Sequence, residues 1–310
     1  MKVAFDSRGA RDPRGPGRYV RCLLDALRET APPGAMIVET SRPRGADVLH
    51  APGLDAAALR APCPQVVSLH DLIPLRRRSE YLRTGLRFRL RYLAVQRAAR
   101  VIVPSEVVRH DAVRLLGLPE AHVATVPLAA APAMTRRGEP EIAAARARHG
   151  LPEDYLVWVG GLEHPDPRKR VAELVRAPRA LPLVLVGSTG PWAQTLTGVT
   201  LAGRVGDDEL AALLSGARAL VFPSDDEGFG LPPVEALACG TPVVVFDLPV
   251  LREVLGDRAT FVAPGDMATL VAEAAAATRP APAPSPWTWA DAARATWAVY
   301  AAAARSPQGA

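Results

Sequence analysis

Two glutamates, Glu227 and Glu235, lie eight positions apart in a segment whose residue types suit the binding of a phosphorylated ligand. A glycine-containing loop and a helix that starts at Pro232 or Pro233 are predicted to follow Glu227, so backbone amides and the positive helix end would face an anion such as a diphosphate. Glu235, in the first turn of that helix, would accept hydrogen bonds from ribose hydroxyls, and Glu227 could hold hydroxyls of a sugar. The amides belong to Gly228, Phe229, Gly230 and Leu231. The alternative is a surface loop whose acids only stabilise the helix dipole.

A second motif runs from Trp158 through Gly160 and Gly161 to the basic pair Arg168 and Lys169. A strand, a glycine turn and two cations at a helix start predict a diphosphate site, where the compact ammonium of Lys169 would neutralise charge that grows on a leaving group. The alternative is a basic helix turn on the surface. That alternative is disfavoured because a cation at a helix N-terminus is unfavourable without an anion.

Other predicted strand ends carry weaker signals. His70 could bond a sugar hydroxyl, although a lone histidine is more often structural, and Asp71 is expected to cap or order the loop. Gly15 and Gly17 precede an amphipathic helix and would let backbone approach a diphosphate or an acceptor. Gly187, Arg204 and Val205 also lie at the ends of predicted strands.

Short runs rich in Val, Ile and Leu alternate with helical stretches, which is the pattern of parallel sheets flanked by helices. The runs of the first half are Lys2–Asp6, Met36–Thr40, Asp47–Ala51, Gln65–Leu69, Arg100–Pro104 and Val123–Leu128. Those of the second half are Tyr155–Gly160, Leu183–Gly187, Val199–Gly203, Ala219–Pro223, Pro242–Phe246 and Phe261–Pro264. The repeat predicts an α/β protein with two facing Rossmann-like, doubly wound domains.

The predicted boundaries place an N-terminal domain over residues 1–135 and a C-terminal domain over residues 150–280. An Ala/Pro/Arg-rich stretch near residues 129–150 is predicted to link them, and a helix over 286–305 is expected to pack back toward the N-terminal domain. Polar and glycine residues gather at the strand ends of both halves. The site is therefore expected in a cleft between the domains.

The sequence that starts at Ala219 resembles a motif of the retaining glycosyltransferases of the large GT4 group, which have the GT-B fold. Glu227 and Glu235 form its Glu-x7-Glu spacing. The segment reads Ala219-Leu-Val-Phe-Pro-Ser-Asp-Asp-Glu-Gly-Phe-Gly-Leu-Pro. The resemblance implies that Glu235 binds the ribose, that Glu227 contacts the donor sugar, and that the backbone of Phe229–Leu231 holds the diphosphate. It implies no metal or other cofactor.

The same resemblance assigns roles outside that segment. It implies that Lys169 binds the diphosphate and that His70 lies beside the transferred sugar. It also implies that the segments of Gly187, Arg204 and Val205 frame the nucleotide base. The GT4 group often carries an arginine where this chain has Gly161, and Arg168 is a candidate substitute.

The charge of the chain is unevenly distributed. The net charge is +5, yet the region from Arg76 to Arg114 holds eleven arginines against three acids. Arg83, Arg87 and Arg91 recur every four residues and would line one helix face. A neighbouring apolar face is predicted from Leu82, Leu86, Leu90 and Leu93. Two interpretations stay open: contact with anionic lipid headgroups or a phosphate-bearing acceptor, or a solvated helix face.

Targeting signals are not apparent. The start of the chain reads as a strand and not as a signal peptide, and no apolar stretch approaches the roughly 20 residues that span a bilayer. Cys22, Cys63 and Cys239 form no disulfide or metal pattern. We therefore expect a cytoplasmic protein, peripheral at most at the inner face of the membrane, with no nucleic-acid partner.

These features predict retaining transfer of a hexosyl group, mannosyl among the candidates, from a nucleoside-diphosphate sugar to a glycan, glycolipid or natural-product acceptor. A sugar-nucleotide epimerase or a phosphorylase on the same fold is an alternative, because fold does not determine reaction. A non-catalytic partner protein is another, since Val126 and its neighbours stand where the group often has asparagine and glycine. A nicotinamide-dependent dehydrogenase is disfavoured because no G-x-G-x-x-G turn follows the first strand.

Overall fold

The computed structural model describes residues 1–12, 14–77 and 86–305, without the side chains of residues 86–89. The chain divides into two units, which we call unit 1 (residues 1–129 and the segment from Trp287 onward) and unit 2 (residues 130–286). Each unit contains one six-stranded sheet, and every strand pair is parallel. The predicted α/β architecture with two parallel sheets is confirmed.

The sheet of unit 1 has the strand order β2-β1-β3-β4-β5-β6. Its strands are β1 (Lys2–Phe5), β2 (Met36–Glu39), β3 (Val48–Ala51), β4 (Gln65–Ser68), β5 (Arg100–Val103) and β6 (Val123–Thr125). All six predicted strands of the first half are present. The last is shorter than predicted because Pro127 has no N–H to continue the ladder.

The described helices of unit 1 before residue 129 cover that sheet. They are α1 (Gly15–Glu29), α2 (Ile73–Arg76), α3 (Leu86–Gln96) and α4 (Glu106–Leu116). In α1, the spacing of Val20, Leu23, Leu24 and Leu27 places all four on one buried face. This buried face holds α1 against the core of unit 1.

The sheet of unit 2 has the strand order β12-β11-β10-β7-β8-β9. Its strands are β7 (Leu156–Val159), β8 (Leu183–Val186), β9 (Thr200–Gly203), β10 (Ala219–Phe222), β11 (Val243–Phe246) and β12 (Thr260–Val262). Its helices are α5 (Glu139–His149), α6 (Val171–Arg176), α7 (Asp207–Gly216), α8 (Leu231–Ala238), α9 (Pro249–Leu255) and α10 (Met267–Ala276). The chain runs from β7 outward to β9 and then returns to place β10 on the other side of β7, so the order of strands reverses between β7 and β10.

The stretch predicted as a linker is different in the structure. Residues 139–149 form α5, which buries Ile142 and Ala145 and belongs to unit 2. A Cβ added to Gly216 would lie 2.8 Å from Cγ2 of Ile142, so α5 packs closely on the end of α7. The composition of this stretch predicted a linker because only two residues of α5 are buried, and Gly216, against which Ile142 packs, lies far along the chain.

The final helix, α11 (Trp289–Ala304), follows unit 2 in sequence but belongs to unit 1. It begins with a capping box formed by Thr288 and Asp291. The indole Nε1 of Trp297 donates to the carbonyl of Leu27 in α1 at 3.1 Å. No helix within the described residues is long and apolar enough to cross a membrane.

Candidate functional site

Two loops of unit 2 leave the sheet where the strand order reverses. One follows β7 and ends in the turn Pro167–Lys169, and the other follows β10 and leads through Glu227 to α8. Because the carboxyl ends of parallel strands lie at one sheet edge, these loops are neighbours, and this reversal is where ligands bind in open α/β sheets. We call this pair of loops the switch-point loops.

Arg168 joins the switch-point loops directly. Its carbonyl accepts from the backbone N–H of Asp225 at 2.9 Å, and its Nη1 donates to the carbonyl of Asp226 at 3.1 Å. The same Nη1 lies 3.1 Å from Oε2 of Glu227, and Nε donates to Asp166 at 3.0 Å. Arg168 and Glu227 are only 18% and 14% exposed, so their charge pair is poorly screened by water.

Lys169 lies beside this ion pair and is partly buried. Burial lowers the pKa of Lys169 and the guanidinium of Arg168 lowers it further, whereas Glu227 is close enough to raise it. Its Nζ lies 5.9 Å from the ring centroid of Trp158, within cation–π range. The structure thus brings three predicted site residues together, Arg168, Lys169 and Glu227.

Close backbone packing explains two of the predicted glycines. Gly187 has φ +150°, and a Cβ there would lie 1.8 Å from the carbonyl oxygen of Gly160. The N–H of Gly160 donates to Val186, and the N–H of Gly187 donates to Gly203, each at 2.9 Å. A Cβ on Gly160 would lie 2.6 Å from the ring of Trp158, so neither Gly160 nor Gly187 has room for a side chain, whereas a Cβ on Gly203 would meet nothing within 4 Å.

Helix α8 begins at Leu231, earlier than the predicted Pro232 or Pro233, with Gly230 as its N-cap in a left-handed conformation. As a result, Glu235 is not in the first turn, and that prediction was wrong. Glu235 is 4% exposed and lies one turn into the helix. A buried carboxylate needs polar partners, so its position is tightly determined.

The other predicted residues of unit 2 lie on the same strand-end side. Gly228 and Phe229 are buried in the loop before α8, whereas Arg204 is exposed and Val205 half-buried after β9. Gly161 is half-buried beside Glu163, whose carboxylate would lie 2.6 Å from an added Cβ. An acid therefore occupies the neighbourhood of Gly161, and the nearest described cation of this loop in sequence is Arg168.

His70 lies in unit 1, two residues after β4. Its Nε2 is 3.0 Å from the carbonyl oxygen of Pro52, and its ring packs against Tyr19 with centroids 4.6 Å apart and planes at 81°. Burial lowers the pKa of His70, while the bond to Pro52 and the nearby Asp71 raise it less. Asp71 accepts from the N–H of Ile73 at 3.1 Å, so the prediction that it orders the loop is confirmed.

The two N-terminal glycines differ in what they need. A Cβ on Gly17 would lie 1.9 Å from the carbonyl oxygen of Asp12, whereas a Cβ on Gly15 would meet nothing within 4 Å. The backbone of Asp12 therefore leaves no room for a side chain at position 17. This explains why the residue is glycine without invoking a ligand. Gly15 is the first residue of α1, and only its position at a helix start supports a role in binding.

The basic region is partly neutralised in the structure. Ion pairs with Asp or Glu are made by Arg76, Arg91, Arg109 and Arg114. On α3, Leu90 and Leu93 are 39% and 36% exposed, so part of the predicted apolar face is accessible. The predictions for Leu82 and Arg83, and for the side chains of Leu86 and Arg87, lie outside the described residues.

Sequence reasoning missed the residues that surround His70. His50, Ser68 and Tyr300 form a buried hydrogen-bonded chain that ends at Tyr19. The available signal was a polar residue in a short strand rich in apolar residues, His50 in β3 and Ser68 at the end of β4. Parallel strands buried on both faces rarely contain such residues without partners.

Two family models match the chain. One, described as Glycosyltransferase Family 4, matches residues 3–133, and the other, described as Glycosyl transferases group 1, matches residues 153–278. The chain belongs to glycosyltransferase family 4. The resemblance first seen around Glu227 and Glu235 is therefore confirmed, and it extends over most of the chain.

Solved structures show which fold this family 4 chain has. The Anabaena protein HepE, solved with UDP and glucose, is 18% identical with a TM-score of 0.69, over 96% of this chain and 94% of that one. Sucrose-phosphate synthase from Thermosynechococcus elongatus is 20% identical with a TM-score of 0.67, over 98% and 96% of the two chains. These likenesses show the GT-B fold.

Sequence relatives share less of their length with it. The O-antigen chain mannosyltransferase B of Escherichia coli is 30% identical over 58% of this chain and 53% of that protein. The D-inositol 3-phosphate glycosyltransferase 2 of Catenulispora acidiphila is 34% identical over 67% of this chain and 55% of that protein. The chain thus spans about half the length of these relatives.

Proposed function

We propose that this family 4 protein is a retaining glycosyltransferase that moves a hexosyl group from a nucleoside-diphosphate sugar to a glycan, glycolipid or natural-product acceptor. The observation that carries the proposal is the cluster of Arg168, Lys169 and Glu227 on the switch-point loops. Two cations and one hydroxyl-binding acid, partly buried at the ligand edge of a parallel sheet, suit a molecule with a diphosphate at one end and a sugar at the other.

The donor would be held by unit 2. Lys169 and the amides from Gly228 to Leu231 would face the diphosphate, and the start of α8 adds the positive end of a helix dipole. Glu227 would bind sugar hydroxyls and Glu235 the ribose, while Gly187, Arg204 and Val205 would frame the base. Gly160 would let the donor approach the backbone at the end of β7, where a Cβ would lie 2.6 Å from the ring of Trp158.

Arg168 is the second cation in this proposal. The contacts of its guanidinium with Asp226 and Glu227 support it, because they hold the positive charge at the switch point and orient the glutamate at once. This would compensate for Gly161, which stands where family 4 often has an arginine. Arginine suits the task because its planar guanidinium bonds carboxylate and phosphate oxygens together.

In the transfer, the bond between the anomeric carbon and the diphosphate oxygen breaks, and a bond to the acceptor hydroxyl oxygen forms on the same face. The acceptor proton passes to the departing phosphate oxygen, so no protein nucleophile is needed. Negative charge that grows on the leaving group would be met by Lys169 and the loop amides, which are already oriented before the reaction. No metal is required by this scheme.

A donor screen tests the proposal. The chain is incubated with GDP-, UDP-, ADP- and dTDP-sugars, and its thermal midpoint is measured, since a ligand that binds only the folded state raises that midpoint. The relatives include a mannosyltransferase, so GDP-mannose is the first donor to test. We then expect transfer to an acceptor with the anomeric configuration of the donor, assigned by NMR of the product.

The same screen separates the alternatives. Conversion of the donor sugar without an acceptor would indicate an epimerase, and release of a sugar phosphate from a glycan with inorganic phosphate would indicate a phosphorylase. If none of the tested nucleotide sugars raises the thermal midpoint, the protein is not a transferase for these donors. The non-catalytic interpretation would then replace the proposal.

We also propose peripheral contact with an anionic membrane through α3, as part of the same function. Exposed Leu90 and Leu93 support it, whereas the ion pair of Arg91 with Asp55 weakens it. Flotation with phosphatidylserine vesicles tests it: binding should exceed that to neutral phosphatidylcholine vesicles and fall in a Leu90→Ser, Leu93→Ser variant. The cytoplasmic location and the cleft between the domains remain predictions.

A further inference from the structure

Four buried polar side chains form one hydrogen-bonded chain behind His70. Tyr300 of α11 lies 2.5 Å from Nδ1 of His50, Nε2 of His50 lies 2.8 Å from the hydroxyl of Ser68, and that hydroxyl lies 2.6 Å from the hydroxyl of Tyr19. None of the four residues is more than 4% exposed. We call this set the buried polar chain.

The buried polar chain joins two strands just before they end. His50 lies in β3 and Ser68 in β4, and these strands are neighbours. Two residues further along each strand come Pro52 and His70, whose carbonyl oxygen and Nε2 are 3.0 Å apart. The position of the His70 ring therefore depends on how the two strand ends sit relative to each other, and the bond between His50 and Ser68 adds a side-chain link to the backbone ladder that joins them.

The tautomer of His70 follows from its partner. A carbonyl oxygen can only accept, so Nε2 of His70 carries the proton, and in a neutral ring Nδ1 is then an acceptor. Burial lowers the pKa of His70 and favours the neutral ring. No described residue makes a hydrogen bond with this Nδ1.

Tyr19 restrains the ring of His70 from a second direction. Its ring contacts His70 edge to face, with centroids 4.6 Å apart, and its hydroxyl is held by Ser68. The contact on the ring and the bond at Nε2 together leave His70 one orientation. Tyr19 is thus the end of the buried polar chain that touches His70.

We propose that Tyr19 and Ser68 are positioning residues for His70, which they hold with Nδ1 available to accept a hydrogen bond from a hydroxyl of the transferred sugar. Tyr300 is the distant end of the same support, so α11 contributes to the site through His50. The sugar part of this inference rests on the proposed function; the tautomer and the support do not.

The competing explanation is that the buried polar chain only stabilises the core. The comparison that separates the two is with Tyr155, a buried tyrosine of unit 2 whose hydroxyl donates to the carbonyl of Leu213 at 2.7 Å. Tyr155→Phe removes a buried hydroxyl without touching His70. Any effect that Tyr19→Phe has beyond Tyr155→Phe therefore reports on His70 and not on stability.

The first measurement is the tautomer of His70 by long-range 15N–1H NMR on the full chain. We expect a single neutral form with the proton on Nε2 in the wild type and in Tyr155→Phe. Ser68→Ala and Tyr19→Phe should show a mixture of tautomers or a shifted His70 pKa. If Ser68→Ala does not fold, Tyr300→Phe takes its place, because it changes only the distant end of the buried polar chain. We expect it to change the tautomers or the pKa of His70 in the same direction by a smaller amount.

The second measurement is transfer with the donor found by the screen. Ser68→Ala and Tyr19→Phe should lower kcat by about fivefold to tenfold, because a displaced group near the reacting atoms slows the chemical step. Donor Kd should stay within about twofold, since unit 2 binds the donor. His70→Asn, which keeps an acceptor near the place of Nδ1, should retain more kcat than His70→Gln.

Each result decides something different. Unchanged His70 spectra and unchanged kcat in Ser68→Ala and Tyr19→Phe would overturn the positioning role. Altered spectra in a chain that binds no nucleotide sugar would leave the positioning of His70 supported and would refute the proposed function instead.

Discussion

The strand-end regions of unit 1 and unit 2 differ in the charge and the burial of their polar groups. In unit 2, the switch-point loops collect charged groups that are only partly buried, with Arg168 and Glu227 in contact at 3.1 Å. In unit 1, the side chains of the buried polar chain are uncharged, and burial lowers the pKa of His50 to about 3. In the proposed function, the first region would face the anionic diphosphate and the second a sugar hydroxyl.

The difference shows what burial does to polar groups at a sheet edge. Charges remain where water or a counterion can reach them, because removing them from water costs several kcal/mol. Neutral side chains can be buried if each finds a partner, and the buried polar chain provides one for every member. Substitutions in the two regions should therefore have different effects. Those in unit 2 should change transfer and donor binding, and those in unit 1 should change how the stability of the fold depends on pH.

The largest effect is expected from loss of the ammonium in unit 2. Lys169→Ala should slow transfer by about 100-fold, or ~2.7 kcal/mol in the barrier, because it removes a positive charge from the leaving diphosphate. Steady-state kinetics with the screened donor measures this. Lys2→Ala removes the other lysine of the chain, in β1 of unit 1, and should have no such effect. Equal rates for Lys169→Ala and the wild type would end the assignment.

The next effect concerns the stability of unit 1 in acid. The pKa of His50 is about 3 in the folded protein and near 6.5 when unfolded, so below pH 6.5 the unfolded chain binds a proton that the folded chain does not. The free energy of unfolding should thus fall with pH through this range, by about 2 kcal/mol between pH 7 and pH 5. Denaturant titrations at each pH measure the free energy of unfolding. The slope of that free energy against pH should be shallower in His50→Gln than in the wild type.

The control for this slope is the exposed His164, in unit 2. His164→Gln should keep the wild-type pH dependence. A wild-type slope in His50→Gln would mean that His50 is protonated in the folded state, and the contrast between a charged and a neutral region would be lost.

A smaller effect is expected on donor affinity. Glu235→Ala should weaken donor binding by about tenfold, or ~1.4 kcal/mol, since it removes a buried acceptor assigned to the ribose. Isothermal calorimetry measures the change, with Glu273→Ala as a control on the exposed surface of α10. Unchanged affinity would show that Glu235 supports α8 and does not contact the donor.

The smallest effect concerns backbone strain next to the switch-point loops. Arg170 has φ +48° and is the N-cap of α6. Asparagine tolerates this conformation and caps helices well, so Arg170→Asn should raise the free energy of unfolding by about 0.5 kcal/mol. Urea denaturation tests this. A loss of stability would mean that the contacts of Arg170, with the ring of Phe246 at 5.5 Å and with the carboxylate of Glu173 at 3.0 Å, outweigh the strain.

Much of the fold was predictable because its signals are local. Parallel strands buried on both faces read as continuous apolar runs, and each of the predicted runs overlaps a strand of the structure. The start of α8 was misplaced because two adjacent prolines both fit a first helical turn. The helix α5 was missed because alanine and arginine are compatible with a linker and a helix alike, and only its contact with α7 decides between them.

The candidate site was predictable in its parts but not in its connections. The sequence by itself determined that Lys169 and Glu227 follow strands, and parallel topology then places them at one edge. The contact of Arg168 with Glu227, the tautomer of His70 and the bond between Tyr300 and His50 were decided only by the tertiary structure. The physical reason is that each depends on atoms far apart in the chain, as Tyr300 and His50 are, and no local pattern encodes such a pairing.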